Sequence, residues 1–253
     1  MKKTQVINDQ FLSLEPFLKD CIENFETKGE PFGDQDRNSL KLFKTEKETL
    51  NVKSFKTPNI VNQIAYKFFR KSKAQRSYEY AKILTNLQVG TPQPIAYFEF
   101  TSALLFKKSY YISEQQACDL TFRELTTDLD YPEHEIILRA FTRFTFELHE
   151  KGINFLDHSP GNTLITKMEN QYEFALVDLN RMEFKTMDFE SRIKNLSRLT
   201  IKDELVSVMS DEYAKLIQVP TDKVYSNLWN EINTFQNKIK RRKILKKKLL
   251  FRK

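Results

Sequence analysis

The sequence predicts an α+β fold of two lobes, strand-rich first and helical second. Three observations carry this. Asn38–Phe43 and Thr49–Phe55 are short apolar runs separated by the charged turn Lys44–Glu48, the pattern of a hairpin. Glu133–Lys151 places Ile136, Ile137, Ala140, Phe141, Phe144 and Leu148 at helical spacing, and Gly152 follows in the position where helices turn left-handed to end. After Asp188 the pattern is helical to the end, with Trp229 and Phe235 as packing anchors. Domains are expected at 1–112, 113–237 and a basic tail at 238–253, with a cleft between the first two.

The remaining elements fill this frame in order. A helix-compatible stretch runs from about Ile60 to Leu87 and stops before Gly90, Pro92 and Pro94. Ile95–Phe100, Ala103–Phe106 and Tyr110–Ser113 read as strands, and Thr121–Leu129 as a short helix. Asn162–Thr166 and Tyr172–Val177 flank the turn Met168–Gln171, a second hairpin.

Composition excludes several classes. The 253 residues are 40% hydrophobic and 30% charged with 5 Gly and 8 Pro, which is neither collagenous, low-complexity nor disordered. Cys21 and Cys118 are the two cysteines, too few for a disulfide framework or a Cys-x-x-Cys metal site, and a reducing cytosol is expected. The first residues reach Asp9 and Glu15 without an apolar core, so no secretory signal is expected, and no stretch approaches a membrane span. Positions 238–253 hold ten cations and no acid in a chain of net charge +7, leaving −3 on the rest. Interleaved with Ile239, Ile244, Leu245, Leu249, Leu250 and Phe251, this tail has the character of a segment that lies on anionic lipid, binds nucleic acid, or is a solvated end.

The chemistry concentrates in Leu148–Asn162. Asp157 and Asn162 lie five residues apart on a loop after one helix and before a hairpin, and that hairpin delivers Asp178 in Val177-Asp178-Leu179-Asn180-Arg181. Phosphoryl transfer asks for such a set: one carboxylate to orient a hydroxyl, and a second carboxylate with an amide oxygen to hold Mg²⁺. No His/Cys cluster competes for a transition metal.

Leu148-His149-Glu150-Lys151-Gly152-Ile153 followed by Asp157 and Asn162, with Asp178 after the hairpin, resembles the protein-kinase-like superfamily. The resemblance implies a bilobal kinase-like fold with its active site in the cleft, Asp157 as catalytic base, and Asn162 and Asp178 as Mg²⁺ ligands. It implies that Lys53, in Asn51-Val52-Lys53-Ser54-Phe55, reaches the α- and β-phosphates of ATP. Glu79, in Arg76-Ser77-Tyr78-Glu79, would pair with Lys53, and Ser113 to Gln116 would form the hinge that contacts adenine. The glycine loop is represented by Gly29 and Gly33 alone, followed by Arg37 and Asn38.

Departures narrow the branch. Phe155-Leu156-Asp157 lacks the arginine that reads a phosphorylated activation loop, Ser159 replaces a phosphate-contacting lysine, Asp178-Leu179-Asn180 replaces Asp-Phe-Gly, and no Ala-Pro-Glu segment follows. Asp157-His158-Ser159-Pro160-Gly161-Asn162 is similar to the loop of small-molecule kinases. Together with Thr91-Pro92-Gln93-Pro94 and Asp178-Leu179-Asn180-Arg181, the pattern most resembles the lipopolysaccharide core kinases of Gram-negative bacteria, which act on Kdo or heptose. That resemblance implies ATP and Mg²⁺ as cofactors, a lipid A–Kdo glycolipid acceptor, no nucleic acid partner, and a peripheral place on the cytoplasmic face of the inner membrane, the tail meeting its anionic surface. The alternatives are a small-molecule or protein kinase of the same fold, or a silent kinase-like scaffold.

Structural readings accompany these. His149 is expected to pack or bond near a helix end, His158 to shape its loop, His134 to sit exposed at a helix start, and Cys118 to be buried or half-buried. Arg192 and Arg198 are expected to steady the second lobe.

Overall fold

The computed structural model describes residues 2–33 and 38–250, the last five by backbone alone. The chain divides into two compact units: Met1–Ala117 with Leu176–Arg181, and Cys118–Ala175 with Met182–Lys253.

The first unit is built on strands β1 (Lys2–Ile7), β2 (Glu30–Phe32), β3 (Asn38–Lys44), β4 (Thr49–Phe55), β5 (Pro94–Thr101) and β6 (Phe106–Glu114), with helices α1 (Glu15–Glu23), α2 (Ile60–Phe68) and α3 (Lys73–Asn86). The strands form one sheet in the order β1-β5-β6-β4-β3-β2, all described pairs antiparallel. Alternation along β4 decides which side chains serve the core and which serve the site. Leu50 and Val52 are fully buried in a cluster with Leu18, Cys21 and Ile22 of α1. The intervening residues Asn51, Lys53 and Phe55 therefore face the other way, and Phe55 packs with Ala74 and Tyr78 of α3. The excursion Leu176–Arg181 is tied to this unit where Leu176 N–H donates to the Gly90 carbonyl at 2.8 Å and Thr91 Oγ1 donates to the Leu176 carbonyl at 2.9 Å.

The second unit contains the short strands β7 (Leu120–Thr121), β8 (Ile153–Phe155), β9 (Thr163–Lys167), β10 (Tyr172–Leu176, whose last residue joins the first unit) and β11 (Met182–Phe184). Its helices are α4 (Phe122–Thr127), α5 (His134–Glu150), α6 (Phe189–Leu196), α7 (Asp203–Ile217) and α8 (Thr221–Leu250). Ile137, Leu138 and Phe141 of α5 share one core with Leu205, Met209 and Tyr213 of α7 and with Leu228 and Ile232 of α8. Thr121 caps α4 in a reciprocal capping box with Glu124. Gly152 closes α5 at φ +69°, and its added Cβ would meet the Lys185 carbonyl at 3.0 Å, so glycine is required there twice over.

Several expectations are corrected. The stretch Ile60–Leu87 is two helices, because Ser72 accepts a bond from Gln75 N–H and starts a new one. Ala103–Phe106 is mostly turn: Ser102 N–H donates to the Leu105 carbonyl at 2.8 Å, and the ladder resumes at Phe106. Before Asn38 the structure adds β1, α1 and β2 to the expected elements. Ile136, assigned to the buried stripe of α5, is exposed; Leu138 takes its place in the core. Cys118 is exposed. The expected tail from 238 begins within α8, and its side chains from Lys246 onward lie outside the described residues. Among the described residues no helix is long and apolar enough to cross a membrane.

Candidate active site

In the first unit Lys53 Nζ donates to Asp178 Oδ1 at 2.7 Å, with side chains only 14% and 31% exposed. Asn180 Nδ2 donates to the same oxygen at 2.7 Å. Both donors take Oδ1, and among the described residues no hydrogen bond is given to Oδ2, which leaves that oxygen as an acceptor. Burial pushes the Asp178 carboxyl up, but the Lys53 charge and the two hydrogen bonds outweigh it and hold the group below the usual carboxylate range. Asp178 also sits in the left-handed region at φ +57°, a conformation that Asp tolerates better than most residues and that concentrates at functional sites.

The expected partner of Lys53 is corrected here. Glu79 accepts instead from Lys71 Nζ at 2.7 Å and from Gln75 Nε2 at 3.0 Å. Helical side chains lean toward the helix N-terminus, and both of these partners lie on that side of Glu79. What α3 offers near the Lys53–Asp178 pair is a cation. Lys73 Nζ lies 5.9 Å from the Phe55 ring centroid, and Lys53 Nζ lies 5.5 Å from the same ring. Burial and then the Arg181 charge push the Lys73 ammonium down, partly offset by Asp178.

The expected hinge residues follow on from β6. Ser113 is buried and pairs across strands with Asn51 and with Pro94. Asn51 Nδ2 donates to Gln115 Oε1 at 2.7 Å, Gln115 N–H donates to the Thr49 carbonyl at 2.8 Å, and Gln115 Nε2 donates to the Gln116 carbonyl at 3.3 Å. A groove of about 810 Å³ opens beside this segment, lined by Leu42, Lys44, Thr49, Glu114 and Gln115 among others. Burial, and then Glu48, raise the Glu114 carboxyl. Gly29 and Gly33 have φ of +81° and +67°, and Arg37 lies outside the described residues.

In the second unit the loop carrying Asp157 is closed by Asn162, whose Nδ2 donates to the Asp157 carbonyl at 2.8 Å. That bond uses one Nδ2 hydrogen, and the Asn162 amide oxygen is an acceptor of the kind a hard cation takes. The loop is carried from below by Asn195 of α6. Its Nδ2 donates to the Phe155 carbonyl at 2.8 Å, while its Oδ1 accepts from His158 Nδ1 at 2.9 Å and His149 Nε2 at 3.2 Å. An amide oxygen only accepts, so both of those ring nitrogens carry their hydrogen, and His149 Nδ1 accepts from Tyr213 Oη at 2.7 Å. Burial pushes His149 down to about 3 and His158 down to about 4, so both rings are neutral. Arg198 donates to the Leu156 carbonyl and rests on the Phe235 ring, and Arg192 donates to the Met187 carbonyl at 3.0 Å, the structural roles expected of them. His134 bonds the Leu125 carbonyl at 2.8 Å and is half-buried.

Sequence reasoning missed Lys73, Asn180 and Asn195. Asn180 was visible as a departure in Asp178-Leu179-Asn180; the other two carried no signal without knowledge of what they face. Among the described residues no group of three His, Cys, Asp or Glu is placed to hold a metal. Mg²⁺ held by one or two protein oxygens, phosphates and water needs no such group.

A sequence model of the lipopolysaccharide kinase (Kdo/WaaP) family matches residues 29–219. No curated protein sequence matches significantly. Among solved structures the chain is similar to WaaP in complex with acyl carrier protein, with a TM-score of 0.63 and 15% identity over 94% of this chain and 98% of that one. It is also similar to the Rio2 kinase of Chaetomium thermophilum in its ADP/Mg²⁺-phosphoaspartate complex, with a TM-score of 0.44 and 12% identity over 84% and 65%. The likeness to WaaP bears out the expected kinase-like fold.

Proposed function

The chain belongs to the lipopolysaccharide kinase (Kdo/WaaP) family, and on that footing we propose that it transfers the γ-phosphate of ATP, with Mg²⁺, to a sugar hydroxyl of the lipid A–Kdo or inner-core heptose region. The observation that carries this reading is the Lys53–Asp178 pair, in which one carboxylate oxygen is saturated by Lys53 and Asn180 and the other is left to accept. Lys53 holds the nucleotide phosphates, and Lys73 adds a second positive charge beside it. Asp178 and the amide oxygen of Asn162 supply hard-cation ligands; Mg²⁺, when bound, neutralises charge on the phosphates. Asp157 orients the acceptor hydroxyl and takes its proton. Ser113 and Gln116 belong to the segment that meets adenine. The protein works on a glycolipid at the cytoplasmic face of the inner membrane. Mass spectrometry of Kdo–lipid A and of a heptose-extended acceptor, each incubated with ATP, Mg²⁺ and the full chain, tests this. One added phosphate is expected with the wild type and none with Asp157→Ala; no transfer to either acceptor by the wild type would refute the proposal.

A further inference from the structure

The helix α2 is turned inside out. Its one buried residue is polar: Gln63 faces inward and its Nε2 donates to the Pro58 carbonyl at 2.9 Å. Its Tyr66 ring rests 5.7 Å from Phe106, and Lys67 Nζ donates to Thr101 Oγ1 at 3.0 Å, so the inward side is polar and aromatic. The outward side carries Ile60 (66% exposed), Val61 (76%), Ile64 and Phe68, and Phe69 (82%) follows at the C-cap. At 3.6 residues per turn the four helical positions fall within an arc of about 100°, the width of stripe that a surface helix normally buries. Isolated exposed apolar residues are ordinary, but five on one short segment form a patch of the kind that marks an interaction surface.

The charge around the patch selects its occupant. From residue 49 to residue 78 the sequence holds seven Lys and Arg and no acid. Of these, Lys53 and Lys73 belong to the cluster described above, Lys71 is paired with Glu79, and Lys56 before α2 and Arg70 just after it are exposed. An apolar stripe with Phe at one end, flanked by cations and turned away from its own core, is how a helix lies in the interface of an anionic bilayer, its apolar side chains among the acyl chains and its cations at the headgroups. We propose that α2 with Phe69 docks the protein on an anionic lipid surface. The docking stands apart from the acceptor assignment, since it is read without nucleotide or acceptor.

The test is co-sedimentation of the full chain with vesicles of phosphatidylcholine and phosphatidylglycerol in equal parts, against vesicles of phosphatidylcholine alone. Val61 and Phe69 are so exposed that Val61→Asp with Phe69→Asp leaves folding intact, checked by an unchanged melting temperature. This double variant is expected to lose more than about tenfold in partition to the anionic vesicles, because two large side chains no longer leave water. Val61→Leu with Phe69→Leu is expected to retain it. Lys56→Gln and Arg70→Gln are expected each to weaken anionic partition about fivefold with little change on neutral vesicles. Undiminished partition of the aspartate variant, with loss confined to deletion of residues 238–253, would overturn the proposal in favour of the tail. Wild type that ignores vesicles but binds an acidic protein or RNA through the same residues would overturn it in favour of that partner.

Discussion

The two groups of candidate residues are held by different means. In the first unit Lys53 and Asp178 are fixed by their opposite charges, one on a central strand and the other on a left-handed backbone position. In the second unit the loop of Asp157 and Asn162 hangs from main-chain carbonyls, carried by the neutral Asn195–His149–His158 network and by Arg198. An ion pair is a device that a metal and phosphates can enter and rearrange, because its charges are the ones they need. Arg198 aside, the buried network beneath the loop is neutral and holds it by hydrogen bonds. The contrast teaches that the first group is held mainly by opposite charges and the second mainly by hydrogen bonds to its main chain.

The sharpest way to break this contrast is to remove the charge. Asp178→Ala is expected to lower turnover by a factor of about 10³ or more while the protein stays folded, since the proposed function has this carboxylate meet a metal and phosphates rather than the core. Near-normal turnover would end the assignment. Asn195→Ala attacks the other device. It strands the Phe155 carbonyl and two buried ring N–H groups, and urea denaturation is expected to give a loss of about 2–4 kcal/mol, with turnover falling alongside.

The neutral rings make a prediction about pH. His149 and His158 have folded values of about 3 and about 4, below the unfolded value of about 6.5, so the unfolded chain binds the extra protons in between. Their contribution is fully present above about pH 6.5 and is lost as pH falls toward the folded values. At about pH 5 each ring costs about 2 kcal/mol. Melting temperature should therefore drop between neutral pH and pH 5, and His158→Asn should flatten that drop; a flat profile in the wild type would contradict neutral buried rings.

The smallest effects separate Lys73 from Glu79. Lys73→Gln is expected to raise the KM for ATP about tenfold, the effect of losing the second cation that the proposed function sets beside Lys53. Glu79→Gln is expected to change it less than about threefold, because the half-exposed Lys71–Glu79 pair contributes little. The reverse order would restore Glu79 as the partner of Lys53.

Much of this was legible in the sequence where a residue's role follows from its neighbours along the chain. The resemblance of Asn51-Val52-Lys53-Ser54-Phe55 singled out Lys53, and the spacing of Asp157, Asn162 and Asp178 set loop and hairpin in order. Glu79 was paired with Lys53 by resemblance alone, whereas its direction depends on helical phase. One helix from Ile60 to Leu87 would carry a single phase throughout, whereas the cap at Ser72 starts α3 afresh and turns Ala74, Ser77 and Tyr78 inward. Asn195 and Lys73 are legible only from what they meet in space. The outward face of α2 could not be read at all, since its apolar periodicity is the same whether the stripe meets a core or a bilayer.

The division of labour between the two groups is tested most directly by calorimetric titration of ATP in the presence and absence of Mg²⁺, comparing Asp178→Asn with Asp157→Asn. The account predicts that Asp157→Asn binds ATP with wild-type Mg²⁺ dependence yet transfers no phosphate, and that Asp178→Asn loses the Mg²⁺-dependent part of binding. Undiminished, Mg²⁺-dependent binding by Asp178→Asn would contradict it.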